Sequence, residues 1–227
     1  MSLDVKRGEL HAIIGPNGAG KTTLMHQVSG LLPSDSGTVR FDGHDLHAMS
    51  MSARVHRGLA RTFQITSILP GFSARENVAL AVQGRSGSSF KFFGVAAREQ
   101  SLNDEADRLL ALVGLGDRGD IGGGTLSHGE KRALEIAIAL ATKPKLLLLD
   151  EPLAGMGHDE GQRVVGILRE LKGTYSIVLI EHDMDAVFAL ADRLTVLSYG
   201  QVIASGSPAE VRASPEVREA YLGEEAA

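Results

Sequence analysis

Apolar positions along this chain fall into short blocks with two spacings. ELHAII (9–14), KLLLLD (145–150) and SIVLIEHD (176–183) contain nearly unbroken apolar runs, and the last two end in acids. Runs of this kind suit strands buried on both faces of a parallel sheet. RLTVLSYGQVIASG (193–206) splits at Tyr199-Gly200 and predicts a hairpin. GTVRFDG (37–43) alternates and ends in Asp-Gly, which predicts an antiparallel strand and a turn. Helical spacing marks TLMHQVSG (23–30), closed by Gly30, and SARENVALAVQ (73–83), opened by the capping box Ser73–Glu76. Residues 98–142 read as mostly helical, and DEGQRVVGILRELKG fits a crossover helix between parallel strands. Ser-Pro at 207–208 and 214–215 opens two short closing helices. Strands separated by helices predict an α/β fold with a parallel central sheet and an inserted helical lobe.

Composition narrows the class. A hydrophobic content of 43% and a charged content of 22% are those of a soluble globular protein. The longest wholly apolar runs, such as IAIALA (136–141), fall far short of the ~20 residues a spanning helix needs. The first ten residues hold no apolar core of a signal peptide. Cysteine is absent, so disulfides and thiolate metal sites are excluded. A net charge of −5 offers no basic field for nucleic acid. The three Phe of GRSGSSFKFFG (84–94) form either an apolar contact patch or local packing for a Gly/Ser-rich connection.

The chemistry begins at GPNGAGKT, Gly15 to Thr22, which matches G-x-x-x-x-G-K-[ST] between a predicted strand and helix. Gly15, Pro16, Asn17, Gly18, Ala19 and Gly20 would wrap phosphates with consecutive backbone N–H groups, with Thr22 and Thr23 at the helix start. Lys21 would reach the β and γ phosphates, and the Thr22 hydroxyl would ligate Mg²⁺. LLLLDEP (146–152) supplies the acids: Asp150 to hold Mg²⁺ and Glu151 as the base for an attacking water. A third candidate is GGGTLSHGEKRALEIAIALA (122–141), where Ser127 and Glu130 form a capping box and Gly129 sits inside the first turn. A helix N-terminus with a serine and a glycine at its tip is an anion site.

These motifs, in this order, resemble the ATP-binding-cassette family over nearly the whole chain. LSHGE (126–130) is similar to its signature motif, RTFQ places Gln64 at its Q-loop, and IEHD places His182 at its switch histidine. The resemblance implies a P-loop NTPase (RecA-like) parallel-sheet core with a reduced antiparallel β subdomain and a helical subdomain at about 66–142, all within one domain. It also implies ATP and Mg²⁺ as ligands. Two such ATPases would face each other head to tail, so that Ser127, His128, Gly129 and Glu130 of one meet the γ-phosphate held by the other. Gln64 would approach Mg²⁺ and the attacking water, and Ile65 to Ala81 would contact a membrane permease. His182 would hold the γ-phosphate.

RTFQ, LEIAIALA, EPLAGMG, the stretch from IEHD to SPAEV, and VREAYLGEE resemble the ATPases of branched-chain amino-acid importers. That implies a peripheral subunit on the cytoplasmic face of a bacterial membrane, with an identical or paralogous partner ATPase, permease subunits and, indirectly, a periplasmic or extracellular solute-binding protein. AYLGEE is also similar to lipopolysaccharide-export ATPases, and a soluble non-transport ATPase is the remaining alternative. Glu181-His182, in place of Asp-His, favours the importer.

Three departures carry expectations. The family has an N-terminal strand pair with an aromatic that stacks on adenine, whereas no aromatic precedes Phe41 here; weak ATP binding and an unpaired sheet edge are expected without it. His128 and Glu130 replace the usual Gly and Gln of the signature, with Ser127 and Gly129 retained. Gly157 stands where the family often has Asp in a loop that touches the partner's phosphate loop.

Overall fold

A strand of four consecutive leucines has no polar face to give to water, and every residue of LLLLD (146–150) is buried. The computed structural model describes residues 1–62, 68–85 and 100–217. They form β1 (Leu10–Ile14), α1 (Lys21–Ser29), β2 (Arg40–Phe41), β3 (His44–Asp45), α2 (Met51–His56), β4 (Leu59–Arg61), α3 (Ala74–Arg85), α4 (Gln100–Leu112) and α5 (His128–Ala141). The chain continues through β5 (Leu146–Asp150), α6 (His158–Leu171), β6 (Ser176–Ile180), α7 (Met184–Leu190), β7 (Arg193–Ser198), β8 (Gln201–Gly206), α8 (Pro208–Ala213) and α9 (Pro215–Val217). No helix among the described residues is long and apolar enough to cross a membrane.

The chain divides into two compact units. The first holds Met1–Arg54, Leu146–Pro152 and the residues from Leu171 onward. Its strands lie in the order β5-β6-β1-β7-β8. β5, β6, β1 and β7 run parallel, and β8 returns antiparallel to β7. The parallel strands are the apolar runs of the sequence, and the hairpin falls where Tyr199-Gly200 predicts it. The strand expected at 37–43 is shorter: only Arg40 and Phe41 pair, with Asp45 and His44. Asp42 (φ 49°) and Gly43 (φ 80°) turn the chain at once, and among the described residues this two-stranded ribbon has no third strand to extend it. IEHD is not strand throughout, because β6 ends at Ile180 and the Asp183 carboxylate caps α7 by accepting from the Ala186 N–H at 3.0 Å.

The second unit, Val55–Lys145 with Leu153–Glu170, is helical apart from β4. Leu102, Ala106, Leu109 and Leu110 of α4 follow the i, i+4, i+7, i+8 spacing and are buried. Arg85, at the end of α3, bonds Glu105 of α4 at 3.0 Å and the Ala141 carbonyl of α5 at 2.7 Å, joining three helices. The capping box expected at Ser73–Glu76 is present in both directions, at 2.7 and 3.2 Å. Short 3-10 turns at Gly116–Arg118 and Gly123–Thr125 break the helical stretch between α4 and α5.

One polar network lies inside the sheet of the first unit. His11 of β1 is wholly buried; its Nδ1 is 2.9 Å from Glu9 Oε1 and its Nε2 is 2.7 Å from Thr195 Oγ1, which contacts Ser205 Oγ at 2.8 Å. Burial holds the His11 pKa below its ordinary value of 6.5, against the opposing pull of Glu9. Above pH 6.5 both the folded and unfolded chains keep this ring neutral. Below it the unfolded chain takes the proton first, so stability falls with falling pH until the folded pKa is passed. Thermal melts at pH 7.5 and 5.5 should therefore show a larger drop in wild type than in His11→Gln; equal drops would clear His11 as the source.

Candidate active site

The loop after β1 is built around glycines at positions that tolerate little else. A Cβ at Gly15 would overlap the Leu197 carbonyl oxygen of β7, so β1 can turn here only without a side chain. Gly18 (φ 78°) and Gly20 (φ 100°) take left-handed conformations. Gly20 is the N-cap of α1 and supplies no side-chain cap, which leaves the first N–H groups of the helix for an anion. The loop is braced by the Ala19 N–H to the Pro16 carbonyl at 3.1 Å and by the Gly200 N–H to the Ala19 carbonyl at 2.9 Å. Lys21 is buried and folds back over the loop, donating from Nζ to the Gly15 carbonyl at 2.7 Å and the Pro16 carbonyl at 3.2 Å. Burial lowers its pKa, while Glu151 and Asp150 pull it back up. The charges of both acids thus reach the cradle. Asn17, Thr22 and Thr23 are exposed around it.

Asp150 ends β5, almost fully buried, opposite Ile180 of β6. Glu151 adopts φ 47°, and its N–H donates to the Ile180 carbonyl at 2.9 Å. A left-handed residue that is not glycine is strained, and such strain gathers at functional sites. Glu151 Oε1 lies 2.9 Å from His182 Nε2. The His182 N–H donates to Glu181 Oε2 at 2.9 Å. Lys21, Asp150, Glu151 and His182 therefore stand past the carboxyl ends of β1, β5 and β6, where open α/β sheets bind ligands. Gln64 lies outside the described residues, as do Phe90, Phe92, Phe93 and residues 218–225.

In the second unit the box predicted at Ser127 is complete. The Ser127 N–H donates to Glu130 Oε2 at 2.9 Å, and the Glu130 N–H donates to Ser127 Oγ at 3.3 Å. The bond from the Ser127 N–H, with help from Arg118, lowers the Glu130 pKa from its ordinary value. His128 is exposed beside it. One further group at this helix tip has no signal in the sequence. Glu160, in the first turn of α6, reads there only as an acid of the crossover helix. In the structure its Oε1 accepts from the Gly129 N–H at 3.3 Å, and a Cβ at Gly129 would meet the Glu160 side chain at 3.0–3.3 Å. The Ser127 side chain and the Gly129 N–H together pull the Glu160 pKa down. A carboxylate thus sits on the helix tip where an anion is expected.

The donor set suits a magnesium nucleotide. The Thr22 hydroxyl and the Asp150 carboxylate are hard oxygen donors of the kind Mg²⁺ takes, too few to cage it without phosphate oxygens. Among the described residues no group of three or more His, Asp or Glu could hold a metal by itself.

Comparison with known proteins gives the same direction. A family model described as ABC transporter matches residues 1–154, and one described as branched-chain amino acid ATP-binding cassette transporter matches residues 201–227. The high-affinity branched-chain amino acid transport ATP-binding proteins BraF of Pseudomonas aeruginosa and LivG of Salmonella typhimurium are 32% and 33% identical to the chain. Each alignment covers 99% of this chain and 91% of the relative. The lipopolysaccharide export ATP-binding protein LptB of Escherichia coli is 33% identical over 99% of this chain and 90% of its own. The solved structure of MJ1267 in its ADP conformation, an ATP-binding cassette of an ABC transporter, superposes with a TM-score of 0.85 at 32% identity, covering 98% of this chain and 91% of that one. The cradle, the acids and these matches together establish that this chain belongs to the ABC transporter family, as one of its nucleotide-binding ATPase subunits.

Proposed function

We propose that this chain hydrolyses Mg-ATP to drive an importer of branched-chain or related amino acids. The observation that carries the hydrolytic reading is the Glu151–His182 contact of 2.9 Å past the strand ends that also present Lys21. The importer reading is supported by the match of the C-terminal residues 201–227 to the branched-chain model and by the likeness to BraF and LivG. Lipopolysaccharide export is the second reading, supported by the likeness to LptB and by that of AYLGEE, while the branched-chain description of the model matched by residues 201–227 favours the importer.

On binding, the first N–H groups of α1 and the loop from Gly15 to Gly20 take the phosphates. Lys21 exchanges its two carbonyl partners for β and γ oxygens. Thr22, Asp150 and Gln64 would hold Mg²⁺, which supplies neutralising charge to the phosphates. Water attacks the γ-phosphorus, its proton passes to Glu151, and the bond to the bridging oxygen of ADP breaks. His182 orients the Glu151 carboxylate and contacts the γ-phosphate. A second ATPase, identical or paralogous, would present its own Ser127-type tip to that phosphate. Each protomer's tip must then give up Glu160 to receive a triphosphate. Permease subunits would dock on the segment after Gln64, with a solute-binding protein acting through them, at the cytoplasmic face of the membrane.

Glu151→Gln should bind ATP with near wild-type affinity and lose about 10²–10⁴ in phosphate release, the usual worth of a general base; comparable turnover would remove Glu151 from that role. In the Glu151→Gln background, sedimentation against ATP concentration should give a dimer, and adding Glu160→Ala should move dimerisation to lower ATP. An unchanged ATP dependence would mean that the carboxylate is no competitor. Reconstitution with the permease and binding protein, followed by a screen of amino acids for stimulated ATPase activity, tests the solute; stimulation confined to other solutes would refute amino-acid import.

A further inference from the structure

The β7–β8 turn contains a residue that its own geometry does not call for. Ser198 pairs with Gln201, so Tyr199 and Gly200 are the whole turn, with φ values of 46° and 75°. Two-residue turns with both residues left-handed favour Asn-Gly or Asp-Gly, because short polar side chains tolerate that conformation. Gly200 fits this rule and Tyr199 does not. The tyrosine is also 94% exposed, the most exposed of the large hydrophobic side chains among the described residues. It therefore gains almost nothing from packing in return for an unfavoured backbone. Backbone outliers of this kind point toward function.

Its position in the fold suggests which function. β7 runs parallel to β1, with Val196 beside Ile14, so the end of β7 and the phosphate loop emerge at the same edge of the sheet. Tyr199 adjoins Gly200, whose N–H donates to the Ala19 carbonyl of the loop at 2.9 Å. A Cβ built on Gly20 would lie 3.7 Å from the Gly200 Cα. The sheet order also sets the direction of a bound nucleotide. Asp150 and Glu151 lie at the end of β5, two strands from β1 on one side, and β7 and β8 lie on the other. A triphosphate in the cradle with its γ end toward those acids directs its nucleoside toward the β7–β8 turn.

We propose that Tyr199 is a specificity-determining residue for the nucleotide, a stacking surface for the purine base of ATP presented by the turn that braces the phosphate loop. This rests on the phosphate-loop reading above. An exposed aromatic ring on the residue next to Gly200 can offer a face to any base, with the larger purine surface gaining most.

The test separates the base from the phosphates. Calorimetric titrations compare ATP, UTP and inorganic tripolyphosphate against the wild type, Tyr199→Asn, Tyr199→Phe and Lys21→Ala. Asn suits this turn, so Tyr199→Asn should fold with a melting temperature at or above that of wild type. It should bind ATP about fivefold or more weakly, the weak end of base–aromatic stacking. Its preference for ATP over UTP should shrink, and tripolyphosphate should bind as before. Tyr199→Phe should restore ATP affinity. Unchanged ATP affinity in Tyr199→Asn overturns the proposal, and so does an equal loss for ATP and tripolyphosphate, which would mean a disturbed loop. Lys21→Ala should weaken both ligands; if it weakens neither, the phosphate-loop reading fails, and the stacking role falls with it.

Discussion

The site depends on one close approach between backbones. At Gly15 the chain passes so near the Leu197 carbonyl of β7 that no side chain fits, and the Gly200 N–H then clasps the Ala19 carbonyl. A cradle made of backbone N–H groups has no rigidity of its own, because left-handed glycines give it freedom along with its shape. The β7–β8 hairpin braces it, holding the loop from the side away from Asp150 and Glu151. Preorganised N–H groups are worth most to an incoming anion when they need not reorganise.

Both anion-seeking parts of the molecule are already satisfied internally. Lys21 spends its ammonium on the Gly15 and Pro16 carbonyls, and the Ser127 helix tip holds the Glu160 carboxylate. The Lys21 ammonium is buried, and a buried donor without a partner costs more than the net gain from most hydrogen bonds, so its two carbonyl partners stabilise the fold. An anion binding at either place would exchange hydrogen bonds instead of adding them, and its affinity would come from charge and from better geometry. Burial lowers the Lys21 pKa, and the charges of Glu151 and Asp150 oppose that lowering.

Much of the fold is legible in the order of apolar runs. The apolar runs of KLLLLD and SIVLIEHD offer no polar face, which suits strands buried on both sides, and β5 and β6 are those strands. The glycine loop, the capping boxes at Ser73 and Ser127, and the hairpin at Tyr199-Gly200 were equally readable, since each is a local rule written in adjacent residues. The short ribbon at Arg40–Asp45 was overdrawn as a full strand. Alternation in sequence says nothing about how many neighbours a strand will find, and this one has a single partner. The helix α7 was hidden behind IEHD, where an acid taken for the end of a strand turned out to be a cap.

The sequence by itself determined the candidate groups: a lysine-tipped glycine loop, two acids after a buried strand, a histidine after the next one, and a serine-capped helix. These are contiguous signals whose meaning comes from residue type and spacing. Only the tertiary structure decided their pairing. The 2.9 Å contact of Glu151 with His182, the seat of Glu160 on Gly129, and the brace from Gly200 to the phosphate loop join residues 31, 31 and 181 positions apart. Side chains so far apart in the chain meet only where strand order and helix packing bring them together, and no local spacing rule encodes that.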